Sequence, residues 1–266
     1  GGEWLIDPRD ITIVAGNGNT GINSSNPFVS TGDSSILGVD LIIAALTGGA
    51  NVTITTGSDG AQAGDITLNT DLDFNGTGSN TLSFIAHNDI ILNNSILDSS
   101  AGGDTLNLVF TADSDLSGSG NLVVNAGASV DSQGGSMQIT AHDVDIQGTL
   151  DAGAGDVAIS IAQTGADQIQ IGDAAFCPTC AMVIDGSELE NITAANLTVE
   201  NSSDDIYVDS ISAANSNNIG TVILDAGGNV EIGRNSDETI APINSSVFNA
   251  LTILADEEIL IREHLE

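Results

Sequence analysis

Short segments in which apolar and polar residues alternate recur along most of the chain. This alternation predicts β-strands with one buried face, because successive side chains of a strand point to opposite sides. Each segment is followed by a second apolar stretch, often by a third, and then by a glycine-rich corner. The alternating segments are residues 51–56, 81–86, 105–110, 136–141, 156–160, 196–200, 221–225 and 250–255.

The segments recur at intervals of 20 to 40 residues, measured between their first apolar positions. A single unit of strand, turn, strand, turn, strand and corner cannot bury its own apolar face, whereas stacked units can. The pattern therefore predicts an all-β fold, a three-faced parallel β-helix. Stacking of eight or nine coils at about 4.8 Å each gives a rod about 40 Å long. One row of its interior is predicted to contain Leu82, Leu106, Met137, Val157, Leu197, Val222 and Leu251.

The first 50 residues have a different pattern. Residues 4–13 predict a strand with a turn at Asp7 and Pro8, and residues 40–48 predict a short helix. Asp40 is the predicted N-cap of this helix, and Gly48 its left-handed stop. A helix there would cover the open edge of the first coil. We therefore assign residues 1–50 to a cap and residues 51–266 to the coils of a single structural domain.

The charge of the chain excludes several classes of partner. Three Lys and Arg residues stand against 37 Asp and Glu residues, which gives a net charge of −34. Nucleic acid and anionic membrane surfaces both require a cationic face and are therefore excluded. Hydrophobic residues make up 41% of the chain, which argues against disorder. Most acidic turn residues are expected to face water, so that salt or mild acidification stabilises the fold by relieving repulsion.

Three stretches of the chain resemble the filamentous haemagglutinin-like family of exported bacterial adhesins. They are residues 2–13, 36–56 and 64–69, and the later coils are similar in pattern. The resemblance implies a right-handed β-helical rod, secreted or on the bacterial cell surface, that acts in attachment or as a stalk. It also implies an outer-membrane transporter as a partner during export. The Asn-Pro-Asn-Leu and Asn-Pro-Asn-Gly signatures of the family are missing, so the chain is expected to be an internal segment.

A non-catalytic adhesive role follows from this resemblance. The expected partner is a host-cell, matrix or surface glycan receptor, or other copies of the same protein. Polysaccharide-cleaving β-helices place carboxylates, basic residues and sugar-stacking aromatic residues on one face. Trp4 is the only Trp and Tyr207 the only Tyr, so such a face is difficult to build here. A carbohydrate-active β-helix and a calcium-stiffened structural stalk remain as alternatives.

Few residues are candidates for local chemistry. Cys177 and Cys180 form a C-x-x-C in the longest gap between strands, predicted to be a loop. In an exported protein they are expected to form a disulfide, with half of a zinc site, an intermolecular contact or a redox site as alternatives. His87, His142 and His264 lack metal-ligand spacing and are expected in solvated turns. No cofactor is predicted, although Ca²⁺ at the acidic turns remains a candidate.

Overall fold

A computed structural model describes residues 8–58, 60–100, 103–162, 167–172, 177–233 and 248–261. The fold is mostly β, with two short helices, α1 (Val39–Thr47) and α2 (Gly186–Glu190). The strands up to Val124 are β1 (Ile11–Val14), β2 (Asn19–Thr20), β3 (Phe28–Val29), β4 (Ser35–Gly38), β5 (Val52–Thr55), β6 (Ile66–Leu68), β7 (Leu72–Asp73), β8 (Ser79–Ile85), β9 (Ile90–Leu92), β10 (Ile96–Leu97), β11 (Thr105–Thr111) and β12 (Asn121–Val124). The later strands are β13 (Ser129–Asp131), β14 (Met137–Ala141), β15 (Asp143–Ile146), β16 (Thr149–Asp151), β17 (Val157–Ile161), β18 (Ile169–Gly172), β19 (Met182–Ile184), β20 (Ile192–Asn201), β21 (Ile206–Asp209), β22 (Ile219–Ala226), β23 (Val230–Ile232), β24 (Leu251–Ala255) and β25 (Ile259–Ile261).

Almost all of these strands pair in parallel, in four stacks. The first stack has the order β15-β12-β9-β6-β1-β4, with β2 antiparallel at its end. The long stack has the order β3-β5-β8-β11-β14-β17-β20-β22-β24, and the short stack has the order β16-β13-β10-β7. Strand β20 pairs with both β16 and β17, which joins these two stacks into one sheet. The C-terminal stack has the order β19-β18-β21-β23-β25.

The chain visits three of these stacks in rotation. From β6 to β17, successive strands belong to the first, the short and the long stack, and this order is repeated four times. Parallel strands that are neighbours in a stack are therefore one repeat apart in sequence. Their aliphatic side chains meet in one continuous buried cluster that runs through the molecule.

The predicted interior row is confirmed except at Leu106, which is out of register, and at Leu251, which is in register but 38% exposed. Leu82 pairs in register with Leu108, whereas Leu106 pairs with Asn80. Leu106 and Leu108 lie on the same face of β11. A shift of β11 by two residues along β8 keeps the same residues buried, so the sequence pattern cannot reveal it. The row in register is Val52, Leu82, Leu108, Met137, Val157, Leu197, Val222 and Leu251.

The N-terminal helix is present, but its predicted caps are wrong. Helix α1 starts at Val39, and its N-cap is Gly38, in an extended conformation, so Asp40 lies in the first turn. A Cβ at residue 38 would collide with the Gly16 carbonyl oxygen, which explains a glycine at this cap. The residue with positive φ after the helix is Gly49, at +80°, because Gly48 keeps a right-handed helical conformation.

Residues 8–50 contribute strands to two of the stacks in addition to helix α1. Strands β1 and β4 extend the first stack beyond β6, and β3 extends the long stack beyond β5. Helix α1 buries Ile42 and Leu46 against the common core. Of the predicted strand at residues 4–13, only residues 11–13 are observed as strand, in β1, and residues 8–10 are irregular. Trp4 and Asp7 lie outside the described residues.

Side-chain oxygens before successive strands form a vertical row, which we call the corner row. The Asp10 Oδ1 atom accepts the Asp65 N–H at 3.0 Å, and the Asp65 Oδ1 atom accepts the Asp89 N–H at 3.1 Å. The Asp89 Oδ1 atom in turn accepts the Asn121 N–H at 2.8 Å. Each oxygen thus binds the backbone of the next layer, as a ladder hydrogen bond would.

The same arrangement returns near the C-terminus of the described chain. The Asp205 Oδ1 atom accepts the Asn229 N–H at 2.6 Å. The Asn229 Oδ1 atom accepts the Glu258 N–H at 3.1 Å. Aspartate and asparagine are interchangeable in the corner row, because both present an acceptor oxygen at the same distance from the backbone.

The expectation that the acidic turns mainly serve as solvated charges is therefore wrong for several of them. Asp113 is fully buried, and its carboxylate accepts the backbone N–H groups of Ser117 and Gly118. A hydrogen bond from the Ser99 hydroxyl lowers the pKa of Asp73, whereas burial raises the pKa of Asp89. The carboxylates thus respond to acid in opposite directions, depending on their surroundings.

A first prediction tests the corrected interior row. Replacing Leu108 by Ala should lower the free energy of unfolding by about 2–5 kcal/mol, because the fully buried side chain leaves a cavity. Leu251→Ala is the matched control, since Leu251 occupies the same row but is 38% exposed in the last layer. Urea denaturation should show a clearly smaller loss for Leu251→Ala, and equal losses would contradict the assigned row.

A second prediction tests the corner row. Asp89→Ala should lower the free energy of unfolding by about 1–3 kcal/mol, because the Asn121 N–H loses its acceptor. Asp89→Asn keeps an acceptor oxygen and should retain most of the stability. If urea denaturation shows that the two variants are equally destabilised, the charge of Asp89 rather than its hydrogen bond is what matters.

Candidate functional site

The first stack stops at β15, and the C-terminal stack starts at β19. Within the described ranges, β15 and β19 are neighbours, but no backbone ladder joins them. The reason is the long interval between residues 157 and 197, in which residues 177–181 form the loop predicted for the C-x-x-C segment. It contains β18, β19 and α2, and the chain returns from β18 to β19 on the side that faces β15.

Side chains replace the missing ladder at this break. The Asp143 Oδ1 atom accepts the Val183 N–H at 2.9 Å. The Glu188 Oε1 atom accepts the Ile146 N–H at 3.0 Å, and the Asn191 amide donates to the Ile146 carbonyl oxygen at 2.8 Å. The backbone groups of Ile146 and the Val183 N–H are therefore satisfied without a strand ladder between β15 and β19.

Helix α2 positions Glu188 through a capping box. The Asp185 Oδ1 atom accepts the Ser187 and Glu188 N–H groups at 2.7 and 2.9 Å. The Glu188 Oε2 atom accepts the Asp185 N–H at 2.8 Å. Our sequence analysis missed this helix, although an Asp followed three residues later by a Glu is the signal of such a start.

An open cleft of about 780 Å³ lies over the break between the stacks. A glycine is required on one wall, because Gly172 has a φ of +116° and a Cβ there would overlap the Asp209 carbonyl oxygen. The walls are formed by β12 and β15 on one side and by β19, α2, the last residue of β18 and residues that follow β21 on the other. The lining residues are Asn121, Val123, Asp143, Val144, Asp145, Gly172, Val183, Asp185, Gly186, Ser187, Glu188, Ser210 and Asn215.

Two carboxyl groups of the cleft, those of Glu188 and Asp143, have raised pKa values. Burial raises the pKa of Glu188 from its usual 4.5 to about 7, and the charges of Asp185 and Asp143 add to this shift. Burial also raises the pKa of Asp143. Hydrogen bonds from the Val183 and Val144 backbone and the charge of the neighbouring His142 lower it by less. A carboxyl group with a pKa near 7 in a cleft is a common feature of active sites, although structural carboxyl groups show it as well.

The hydrogen bonds of Glu188 identify its role. Both of its oxygen atoms accept backbone N–H groups, one from β15 and one from the start of α2. Each carboxylate oxygen can accept two hydrogen bonds, so these two bonds fix the side chain and leave one acceptor position on each oxygen. Glu188 therefore connects the start of α2 to the free edge of β15.

The corner row is interrupted at the same layer. The Asn121 Oδ1 atom is buried and has no hydrogen-bond partner among the described residues, and the same is true of the His142 Nδ1 atom. No group of three or more His, Cys, Asp or Glu side chains in the described part of the chain could bind a metal ion. His264 lies outside the described residues.

The two cysteines lie away from the cleft lining. Cys177 and Cys180 are joined by a disulfide with a Cα–Cα distance of 5.3 Å, and Cys177 is 5% exposed. The Cys177 sulfur lies 3.8 Å from the Gln168 Oε1 atom, and the Gln168 amide donates to the Tyr207 hydroxyl. Tyr207 is 6% exposed and donates to Asp205, so it offers no face for stacking on a sugar.

Comparison of the chain with family models, with curated proteins and with solved structures gives no match. The resemblance to filamentous haemagglutinin-like adhesins therefore stays a prediction from the sequence. A search of the described residues for helices long and apolar enough to span a membrane finds none.

A third prediction concerns the pH dependence of stability at the cleft. Because the pKa of Glu188 is raised on folding, the native state keeps a proton that the unfolded chain has lost between about pH 4.5 and 7. The free energy of unfolding should therefore fall as the pH rises through this window, with no further contribution from Glu188 above it. Glu188→Gln should reduce this fall in urea denaturation curves recorded from pH 5 to 8.

Glu190→Gln is the matched control, because Glu190 lies in the same helix but is exposed. It should retain the pH dependence of the unchanged protein. Asp143 and Asp89 contribute in the same direction in all three proteins, so only the difference between variants reports on Glu188. An unchanged pH slope in Glu188→Gln would contradict the assignment.

Proposed function

We propose that the stacks are the faces of one right-handed, three-faced β-helix, with α1 as its N-terminal cap. The support is the rotation of the chain through the first, the short and the long stack from β6 to β17. Connections between parallel strands of one sheet are right-handed in nearly all proteins, which favours a right-handed coil. The C-terminal stack then continues the face of the first stack beyond the cleft.

We further propose that this β-helix is a non-catalytic segment of an exported bacterial adhesin, either secreted or held at the cell surface. The observation that carries the proposal is the long stack, in which nine parallel strands lie side by side. At about 4.8 Å per strand this stack is about 38 Å long. Its aliphatic core and corner row make it a rigid rod, which suits presentation of a binding surface at a distance.

One further observation supports export, and another describes the surface that a receptor would meet. The disulfide between Cys177 and Cys180 belongs to an oxidising compartment, since such bonds are rare in reducing ones. Arg9 is the single Lys or Arg within the described ranges, and its Nε atom lies 3.5 Å from Asp33. The acidic surface favours a receptor that offers hydroxyl or cationic groups, such as a host-cell, matrix or surface glycan or a basic protein segment.

A carbohydrate-active enzyme is the second candidate, and the cleft is the observation that favours it. Asp143 and Glu188 are two carboxyl groups with raised pKa values in one cavity. Against it, both oxygens of Glu188 bind backbone N–H groups, and no aromatic residue lines the cleft. The calcium-stiffened stalk has no comparable support, because the described residues contain no metal-binding group.

A fourth prediction separates adhesion from catalysis. The purified protein is applied to a glycan array and to matrix-coated surfaces, and the same glycans are assayed for newly formed reducing ends. We expect saturable binding without release of reducing ends, because no aromatic residue lines the cleft for a sugar to stack on. Loss of saturable binding on every surface would contradict the adhesive role.

The variants Glu188→Gln and Glu190→Gln test whether the cleft is the active site of a carbohydrate-active enzyme. Release of reducing ends that is abolished in Glu188→Gln and kept in Glu190→Gln would establish an enzyme in the cleft. Equal binding by both variants is the result expected for a rod whose receptor site lies elsewhere.

A further inference from the structure

The outer side of the long stack carries no charge over five consecutive strands. Strands β5, β8, β11, β14 and β17 contain no charged residue, in a chain with 37 Asp and Glu residues. None of their alternating side chains that point away from the core is buried. We call the outer side chains of these five strands the neutral face. It lies in the interior of the stack, between β3 and β20.

The other two stacks of the rotation carry aspartates on their outer sides. Asp73, Asp131 and Asp151 occupy outer positions of β7, β13 and β16 in the short stack. The corner row places Asp65 and Asp89 beside the strands of the first stack. Negative charge is therefore separated from the neutral face, whose strands offer hydroxyl, amide and aliphatic groups instead.

The neutral face is a regular grid, because its strands pair in register. One outer row runs through Thr53, Ser83, Val109, Gln138 and Ala158. A second row, two residues further along each strand, contains three threonines, one serine and one isoleucine. Neighbouring side chains of a row are about 4.8 Å apart, and the two rows are about 6.6 Å apart. Five strands give the grid a length of about 19 Å.

The grid combines hydroxyl groups with small apolar groups. The Thr140 and Ser160 hydroxyls are 3.0 Å apart and bond to each other, and their oxygens still have acceptor positions left. Ile85, which pairs with Thr111 in the second row, adds an aliphatic surface beside the hydroxyls. A sugar ring has hydroxyl groups at its edge and C–H groups on its faces. Hydroxyl side chains can therefore bond to the edge of the ring, while aliphatic side chains cover its faces.

We propose that the neutral face binds an extended, uncharged polysaccharide; the inference rests on the adhesive role and names its receptor site. The net charge of −34 repels acidic polymers, and the aspartates of the other stacks attract cationic ones. An uncharged polymer is selected by the cost of desolvation instead. Covering a carboxylate with a neutral sugar removes water from a charge, which is unfavourable, whereas the neutral face avoids this cost.

The affinity of this face comes from the number of contacts. Its strands offer no aromatic ring to a sugar, because Phe84 and Phe110 point inward and are fully buried. Each sugar therefore makes only weak contacts. Successive sugars of one chain meet successive strands of the grid, so that each bound sugar raises the effective concentration of the next. The affinity should increase with the length of the glycan until the chain spans the grid.

The test is a glycan array that carries neutral and acidic polysaccharides together with neutral oligosaccharides of increasing length. We expect saturable binding to neutral glycans, with a dissociation constant at least about tenfold lower for chains that span the grid than for disaccharides. Preferential binding of acidic polysaccharides would overturn the proposal. Binding to matrix-coated surfaces but to no glycan would also overturn it and leave the adhesive role intact. Absence of binding to both would refute the adhesive role as well.

Two matched variants locate the receptor site. Thr111→Asp places a charge on β11, the middle strand of the neutral face. Thr67→Asp is the control, because Thr67 is a partly exposed outer residue of β6 in the first stack. For the neutral glycan that binds best, the dissociation constant should rise at least about tenfold in Thr111→Asp and stay unchanged in Thr67→Asp. Equal binding by both variants would place the receptor site elsewhere and refute the proposal.

Thr111→Val covers the case in which Thr111→Asp does not fold, because valine keeps the shape of threonine and is favoured in strands. Loss of the hydroxyl should raise the dissociation constant of the same glycan about two- to tenfold, whereas Thr67→Val should not change it. Sedimentation equilibrium tests a second copy of the chain as the occupant. A mass of twice 26.8 kDa that returns to 26.8 kDa in Thr111→Val would assign the neutral face to self-association and overturn the proposal.

Discussion

The structure depends on the pairing of each layer with the next. No single layer can bury its aliphatic side chains, because each contributes only a few inward positions per strand. Stacking converts these positions into rows such as the one through Leu82, Leu108 and Met137, which are fully buried. Backbone ladders hold the rows in register, and the corner row adds side-chain acceptors where the chain turns between strands.

This dependence gives the acidic composition a structural use. A net charge of −34 opposes compaction through repulsion, yet many of the aspartates are hydrogen-bonded to backbone N–H groups of the next layer or of their own turn. Such bonds favour the ionised form, whereas burial favours the protonated form. The balance differs between Asp73, whose pKa is lowered, and Asp89, whose pKa is raised. Net charge alone therefore does not describe how this protein responds to acid.

Within the described ranges, the stacking of strands is interrupted at two places, the cleft between β15 and β19 and the last layer with β24 and β25. At the cleft, β15 lacks a paired neighbour on one side, and Asp143, Glu188 and Asn191 satisfy its backbone and that of Val183. At the last layer, β24 and β25 lack a neighbour, and no side chain of the described ranges takes its place. Polar side chains thus bridge the first break, whereas apolar residues such as Ile259 and Ile261 are about half exposed at the second.

The sequence by itself determined the class of structure: alternating segments at intervals of 20 to 40 residues can bury their apolar faces only by stacking. It also determined which face of each strand is buried, because alternation has a period of two. It could not choose between Leu106 and Leu108 as the partner of Leu82, since both lie on the buried face of β11. The register is fixed only by the pairing of β11 with β8. The aspartates before each strand were visible in the sequence, but their role depends on an N–H group 24 to 55 residues away. The cleft depended on tertiary structure most of all, because it exists only where β19 returns beside β15 and a layer is left without its ladder.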